Sequence, residues 1–243
     1  LVFSVIFLIY FMNYGPKIVT NGLVWAFDAA DRKSYSGTGS SWTNLGTDTC
    51  TGTLNGSPAF TTTKGGEFYF TGASSPTTSL TTSTNPVAPS QITVETWVNL
   101  QTPLNNFNPY TGWICGREAK WRLMYNVNFV GWVCATTVND WGGSPAISAS
   151  ATYEVRDAWH QIVGLYNGTY NLIYVDGVLR ASSTAGSGNI STTHNNNFIW
   201  FDTGAGVLSR AKGYGSILRI YNFGLSGSQV LQNFNANRGR FGI

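Results

Sequence analysis

Charge is what this chain has least of. Only 10% of its 243 residues are Asp, Glu, Lys or Arg, and 14 basic against 11 acidic side chains leave a net charge of +3. Spread over a surface of this size, that balance supplies no basic stripe for a nucleic-acid backbone. Cysteine is scarce too. Cys50, Cys115 and Cys134 are an odd number with no C-x-x-C pair, so they form neither a disulfide framework nor a thiolate zinc site. Buried free thiols are the ordinary reading, and a bridge between Cys115 and Cys134 on neighbouring strands stays open. There is no G-x-S-x-G elbow, no glycine-rich phosphate loop and no EF-hand loop, which removes the common nucleophilic, nucleotide and calcium-loop motifs. The two histidines lack a triad context. His160 follows Trp159 at a strand entry and reads as a hydrogen-bonded structural side chain, and His194 lies in the polar loop STTHNNN.

A long apolar run is also missing. A membrane-spanning helix needs about 20 apolar residues, and the longest stretch, LVFSVIFLIYF from Leu1 to Phe11, stops just before Met12. It lacks the basic start and the small-residue cleavage site of a secretory leader. Three readings compete: a segment upstream of a start at Met12, a signal-like remnant, or a β-prone arm that docks on a neighbouring subunit. The arm is favoured, because an exposed apolar strand needs something to cover it. Leu1, Val2, Phe3, Ile6, Phe7, Leu8 and Ile9 are then assembly-contact candidates, with residues 1–13 an arm and residues 14–243 one domain.

What is abundant is the material of sheets. With 42% hydrophobic residues, 28 glycines and long Ser/Thr/Asn tracts, the chain can bury a full core and suits turn-rich β structure better than free helices. In WHQIVGLYNGTYNLIYVDGVLRASS, apolar residues alternate with a period of two. Asn167-Gly168 and Asp176-Gly177 both predict two-residue hairpin turns, so the ribbon reads as a three-stranded meander. GLVWAFD, GTLNGSPAF, GEFYFTG, ITVETWVNL, NNNFIWFDTG and GSILRIYNF are further strand candidates. Ser74 to Ser90 reads as a surface loop, since Pro76, Pro86 and Pro89 argue against a central strand. Trp121, Leu123, Tyr125, Val127 and Phe129 share one face, and the parity change at Gly131 asks for a bulge or tight turn near Asn128. One helix is expected. Ser226 and Gln229 make a capping box, and Val230, Leu231 and Phe234 form a stripe ending near Asn237 and Gly239; the helix is expected to cap an open end of the fold.

In order and content, GPKIVTNGLVWAFDAADRKSY, GGEFYFTG, ITVETWV, WHQIVGLYNGTYNLIYVDG and GSILRIYNFGLSGSQVLQNFNANRGRFG resemble the laminin-G-like, concanavalin A-like jelly rolls found in tailed-bacteriophage virion proteins. These segments cover most of residues 14–242. The resemblance implies an all-β fold, a two-sheet antiparallel β-sandwich with one short C-terminal helix. It leaves function open, because this fold hosts lectins, glycosidases, adhesion modules and passive virion parts.

A glycosidase of this fold needs two carboxylates about 5 to 9 Å apart. Glu95 has Trp97 and Asn99 at i+2 and i+4, so the E-x-D-x-E signature of the related glucanases is missing. Glu67 lies between phenylalanines and glycines, and Glu118 in GREAK suits a surface ion pair with Arg117 or Lys120. Calcium is implied by the resemblance, through strand-end carboxylates and loop carbonyls: Asp202 is the best candidate and Asp28, whose bland reading is an Asx turn, the next, while Asp176 is accounted for by its turn. Glycan binding needs an aromatic platform among amides and hydroxyls, for which Tyr110, Trp113 and Trp141 are the candidates. The expectation is a non-enzymatic phage virion structural protein, a capsid decoration, fibre or other exposed appendage resident in the virion, with a lectin-like jelly roll. Its partners would be other virion subunits, as a homo-oligomer or a capsid or tail protein, and a host surface glycan. A carbohydrate-active hydrolase of the same fold is the alternative.

Overall fold

The computed structural model describes residues 16–73, 76–86, 88, 90–102, 112–117, 120–126, 129–134, 136, 148–184, 188–190, 198–202 and 210–243. In chain order they form β1 (Leu23–Asp28), β2 (Ser41–Thr43), β3 (Thr51–Asn55), β4 (Ala59–Thr61), β5 (Glu67–Phe70), β6 (Ser79–Thr82), β7 (Ile92–Gln101), β8 (Gly112–Arg117), β9 (Trp121–Asn126), β10 (Phe129–Cys134), β11 (Ser148–Ala151), β12 (Trp159–Tyr166), β13 (Tyr170–Val175), β14 (Val178–Thr184), β15 (Ile199–Trp200), β16 (Lys212–Tyr221) and α1 (Gly227–Phe241). One sheet runs β14-β13-β12-β7-β16-β5-β4, and β1 also pairs with β16; the other runs β11-β10-β9-β8-β15-β6-β3-β2. Neighbouring strands pair antiparallel in both. The expected two-sheet sandwich with one C-terminal helix is what forms.

The core between the sheets follows from strand alternation. Ile92, Val94, Val98 and Leu100 of β7 meet Leu80, Leu123, Tyr125 and Trp132 of the other sheet in one buried cluster. Two glycines make room for large rings. A Cβ on Gly164 would lie 2.2 Å from Trp132, and one on Gly215 would lie 2.6 Å from Trp200, so the indoles of one sheet rest on bare backbone of the other. At Ser216 the register of β16 shifts. Before the shift β16 pairs with β5 at Gly213 to Gly215, and after it with β1 at Ile217 to Tyr221. One bulge thus lets two strands share one edge.

Several sequence expectations are corrected. Asp176 (φ 53°) and Gly177 (φ 75°) form the two-residue turn, but residues 167–169 make a three-residue connection. There the Asn167 side chain accepts hydrogen bonds from Thr169 N (3.1 Å) and Tyr170 N (2.9 Å), an Asx-type turn. The 74–90 stretch contains β6, which pairs on one side with β3 and on the other with β15; Pro76 and Pro86 flank that strand, so no ladder hydrogen bond is lost. Phe129 pairs with Asn126 and so belongs to β10 and not to the face of β9, while Val127 and Asn128 lie outside the described residues. Cys115 and Cys134 lie on β8 and β10 with β9 between them, and all three cysteines are buried and outside any disulfide. Burial pushes the thiol pKa values of Cys115 and Cys134 up. The arm candidates Leu1 to Ile9 lie outside the described residues.

The helix begins as expected. Ser226 and Gln229 form a reciprocal capping box, but the helix runs on through Asn237 and Gly239 to Phe241, where Gly242 ends it in the left-handed conformation. It does not close an end of the sandwich. Val230 packs with Val163, Leu165, Tyr174 and Tyr221, and Phe241 packs with Trp97, Trp159 and Ile217. These partners alternate with the core residues of β7, β12 and β16, so α1 lies on the outer face of the first sheet. No helix among the described residues is long and apolar enough to cross a membrane.

Candidate functional site

The acids come first, because hydrolysis would need them. Glu95 is fully buried beneath α1. Its Oε1 accepts hydrogen bonds from Arg219 Nη1 (3.1 Å), Gln161 Nε2 (3.0 Å) and Trp97 Nε1 (3.2 Å), and its Oε2 accepts one from Asn233 Nδ2 (2.7 Å). Asn233 Oδ1 in turn accepts from Val19 N at 2.8 Å. One carboxylate thus ties three strands, the helix and the entering chain together, with none of its surface open to solvent. Such a group is structural.

The other acids are engaged separately. Asp28 Oδ1 accepts from Ala30 N (2.9 Å), closing the expected Asx turn, and from Arg240 Nη1 (2.7 Å). Arg240 also donates to the carbonyls of Lys64 and Gly66 and to Ser216 Oγ, clamping the helix end to the Ser216 bulge. Asp176 Oδ2 lies 2.7 Å from His160 Nδ1, and Asp176 Oδ1 accepts from Gln161 N (3.0 Å), so His160 has the structural role expected of it. Asp202 Oδ1 lies 3.0 Å from Arg210 Nε. Glu67 is 6% exposed; Thr61 Oγ1 donates to its Oε1, and its Oε2 has no hydrogen-bond partner among the described residues. Burial raises its pKa, with Thr61, Lys64 and Arg240 pulling the other way. Glu118 and His194 lie outside the described residues. Among the described residues, no three His, Cys, Asp or Glu side chains gather where they could hold a metal ion.

Of the aromatic candidates, Tyr110 and Trp141 lie outside the described residues. Trp113 is half-buried on β8, with the Arg122 guanidinium 4.6 Å from its ring centroid. It bridges to Arg210 in the chain after β15, and Phe201 N donates to Ile114 O at 2.7 Å. The structure therefore brings Trp113 and Asp202, expected for different ligands, into one neighbourhood joined by Arg210.

A second aromatic site was missed by the sequence reading. On the outer face of the first sheet, just beyond the C-terminal end of α1, Tyr214 of β16 pairs across strands with Tyr69 of β5 and Asn99 of β7. The two tyrosine rings are 4.9 Å apart at 48°, and both residues are half-buried. Tyr69 OH donates to Gln101 Oε1 (3.3 Å), and Lys212 pairs with Gln101 in the next row. Tyr214 packs against the Trp97, Trp159, Ile217 and Phe241 cluster. The result is a pair of tilted aromatic rings edged, in strand register, by Asn99, Gln101 and Lys212. Only its alternation was legible: Tyr69 sits between core Phe68 and Phe70, and Tyr214 between Gly213 and Gly215. Nothing local says that α1 stops short of this row.

No curated protein matches the chain. Among solved structures, it is similar to the binding domain of botulinum neurotoxin DC in complex with SialylT, with a TM-score of 0.66 at 10% identity over 89% of this chain and 52% of that one. The botulinum neurotoxin serotype D ligand binding domain in complex with N-acetylneuraminic acid gives 0.65 at 10% identity over 89% and 51%. The binding domain of Paraclostridial Mosquitocidal Protein 1 gives 0.64 at 12% identity over 88% and 52%. The chain spans about half the length of these structures, and at such identities the likeness is one of fold, here a lectin-like one. Residues 72–231, more than half of the chain, match a laminin-G-type family model, and the chain belongs to the family described as the Concanavalin A-like lectin/glucanases superfamily.

Proposed function

We propose that this chain is a non-enzymatic glycan-binding jelly roll displayed on a bacteriophage virion. The observation that carries the glycan reading is the Tyr69–Tyr214 floor with Asn99, Gln101 and Lys212 at its edge. A pyranose presents an apolar face that packs on rings and a rim of hydroxyls that needs amide and charged partners, and a shallow platform of this kind offers both. The non-enzymatic reading is supported by the commitment of Glu95 to four donors and by the separate partners of Asp28, Asp176 and Asp202. Two of the similar structures, about half of each of which this chain matches, hold SialylT and N-acetylneuraminic acid, and this supports the glycan reading. The virion assignment is supported by segments that resemble, in order, those of phage jelly rolls and by the apolar sequence at residues 1–11, whose composition suits contacts between subunits.

Screening the purified chain on a glycan array, with Tyr69→Ala and Tyr214→Ala alongside, tests the site. Retained glycans that both variants lose, with no new reducing ends after long incubation, are expected. Steady release of reducing ends would make the chain a hydrolase. Electron microscopy of intact particles with an antibody to this chain tests its place, and particles that never carry the label would remove the virion assignment.

A further inference from the structure

We infer that the glycan taken at the Tyr69–Tyr214 platform is an acidic one, its carboxylate or sulfate held by Lys212 with the amides of Gln101 and Asn99. This rests on the glycan reading of the same site and narrows it. Hydrogen-bonding capacity around the two rings is lopsided. Gln101 spends its Oε1 on Tyr69 OH, which leaves its amide nitrogen as the free end, and among the described residues the Asn99 side chain, the Tyr214 hydroxyl and the Lys212 ammonium have no hydrogen-bond partner. An ammonium and an amide nitrogen only donate, and although Asn99 Oδ1 and the Tyr214 hydroxyl can accept, the donors of Lys212, Gln101 and Asn99 outnumber them. The nearby acids add little to the accepting side. Glu67, two residues before Tyr69 on the same face, is buried with one oxygen already taken by Thr61. Glu154 is fully occupied by Arg156, through Nη2 at 2.6 Å and Nε at 2.8 Å, while Arg156 Nη1 donates to Thr102 at 2.8 Å.

The charge balance agrees. Arg156 pairs with Glu154 and also feels the exposed Asp157, Asp28 is matched by Arg240, and Lys212 at the platform's edge has no ion-pair partner among the described residues. A neutral sugar brings donors and acceptors in comparable number and would leave that charge uncompensated. A carboxylate or sulfate brings acceptors alone, and charge-assisted hydrogen bonds are roughly twice as strong as neutral ones. The low charge of the chain as a whole makes one unpaired cation beside two rings a sharper signal than it would be on a lysine-rich surface.

The test is an array of matched pairs: sialylated glycans with their desialylated partners, sulfated with unsulfated, and uronic-acid oligomers with the corresponding hexose oligomers. Wild type is expected to prefer the acidic member by about tenfold at low salt, a preference that shrinks as salt screens it. Lys212→Met should lower the acidic member to the level of its neutral partner, with Tm checked to show that the variant is folded. Equal retention of the neutral members, or a preference that Lys212→Met leaves standing, would overturn the acidic assignment and leave the platform intact. Absence of any retained glycan, or retention untouched by both Tyr69→Ala and Tyr214→Ala, would remove the platform reading and this inference with it.

Discussion

Strands β7 and β16 present two different surfaces on one side of one sheet. Toward Thr93 and Tyr221 the outer face lies under α1, with Glu95, Trp97, Arg219 and Ile217 buried there as completely as the core between the sheets. Toward Gln101 and Lys212, a few residues along the same strands, Asn99, Tyr214 and their neighbours are half-open to solvent. Alternation is the same in both halves, and so is the mixture of aromatic and polar residues. What differs is the roof. Under it, polar side chains must satisfy one another, and Glu95 does so with four donors; beyond it, the same kinds of side chain keep donors free. A buried polar network and a binding surface can therefore be made from one strand pattern, according to whether a helix covers it.

The largest effect should come from breaking the covered half. Arg219→Met leaves the Glu95 carboxylate buried with its strongest partner gone, and should cost about 3–5 kcal/mol in urea unfolding. A loss below about 1 kcal/mol would mean that water reaches Glu95. Trp97→Ala, which empties the space between Phe234 and Phe241, should cost about 3–5 kcal/mol. Tyr214→Ala, one row away in the open half, should cost only about 1 kcal/mol while abolishing glycan retention. If Tyr214→Ala destabilised as much as Trp97→Ala, the contrast between the halves would fail. Ser226→Ala removes the cap that starts the roof and should cost about 1 kcal/mol.

The smallest effect concerns Glu67. Burial raises its folded-state pKa, so between the ordinary glutamate value and that raised value the folded chain keeps a proton that the unfolded chain has released. Its contribution is greatest below the ordinary value, declines as pH rises through the window and stays lower above it. Glu67→Gln should flatten that part of a Tm-against-pH curve and should not lower Tm at neutral pH. A slope unchanged in Glu67→Gln would assign it to another group.

Legibility tracked the range of the interactions involved. The Asp176-Gly177 turn, the Asx turn at Asp28 and the Ser226–Gln229 capping box depend on residues a few positions apart, and all were readable. Asn167-Gly168 carried the right dipeptide but not the right loop, because the Asn167 side chain bonds two backbone nitrogens ahead and lengthens the connection by one residue. β6 was hidden by its prolines, which turned out to flank the strand. Glu95 was read as an acid lacking the E-x-D-x-E signature, while its four donors, from β7, β12, β16 and α1, went unseen. For Tyr69 and Tyr214 the sequence showed only that they alternate with core positions.

The sequence by itself determined the alternation of the strands, the Asp176-Gly177 hairpin and where the helix starts, since each of these is set by backbone preference and near neighbours. Tertiary structure decided which stretch of the first sheet's outer face is roofed. That choice rests on contacts such as Asn233 to Glu95, 138 residues apart in the chain, and Phe241 to Trp97. Alternation says that a side chain points outward, but only the packed helix decides whether outward means buried or open to a ligand.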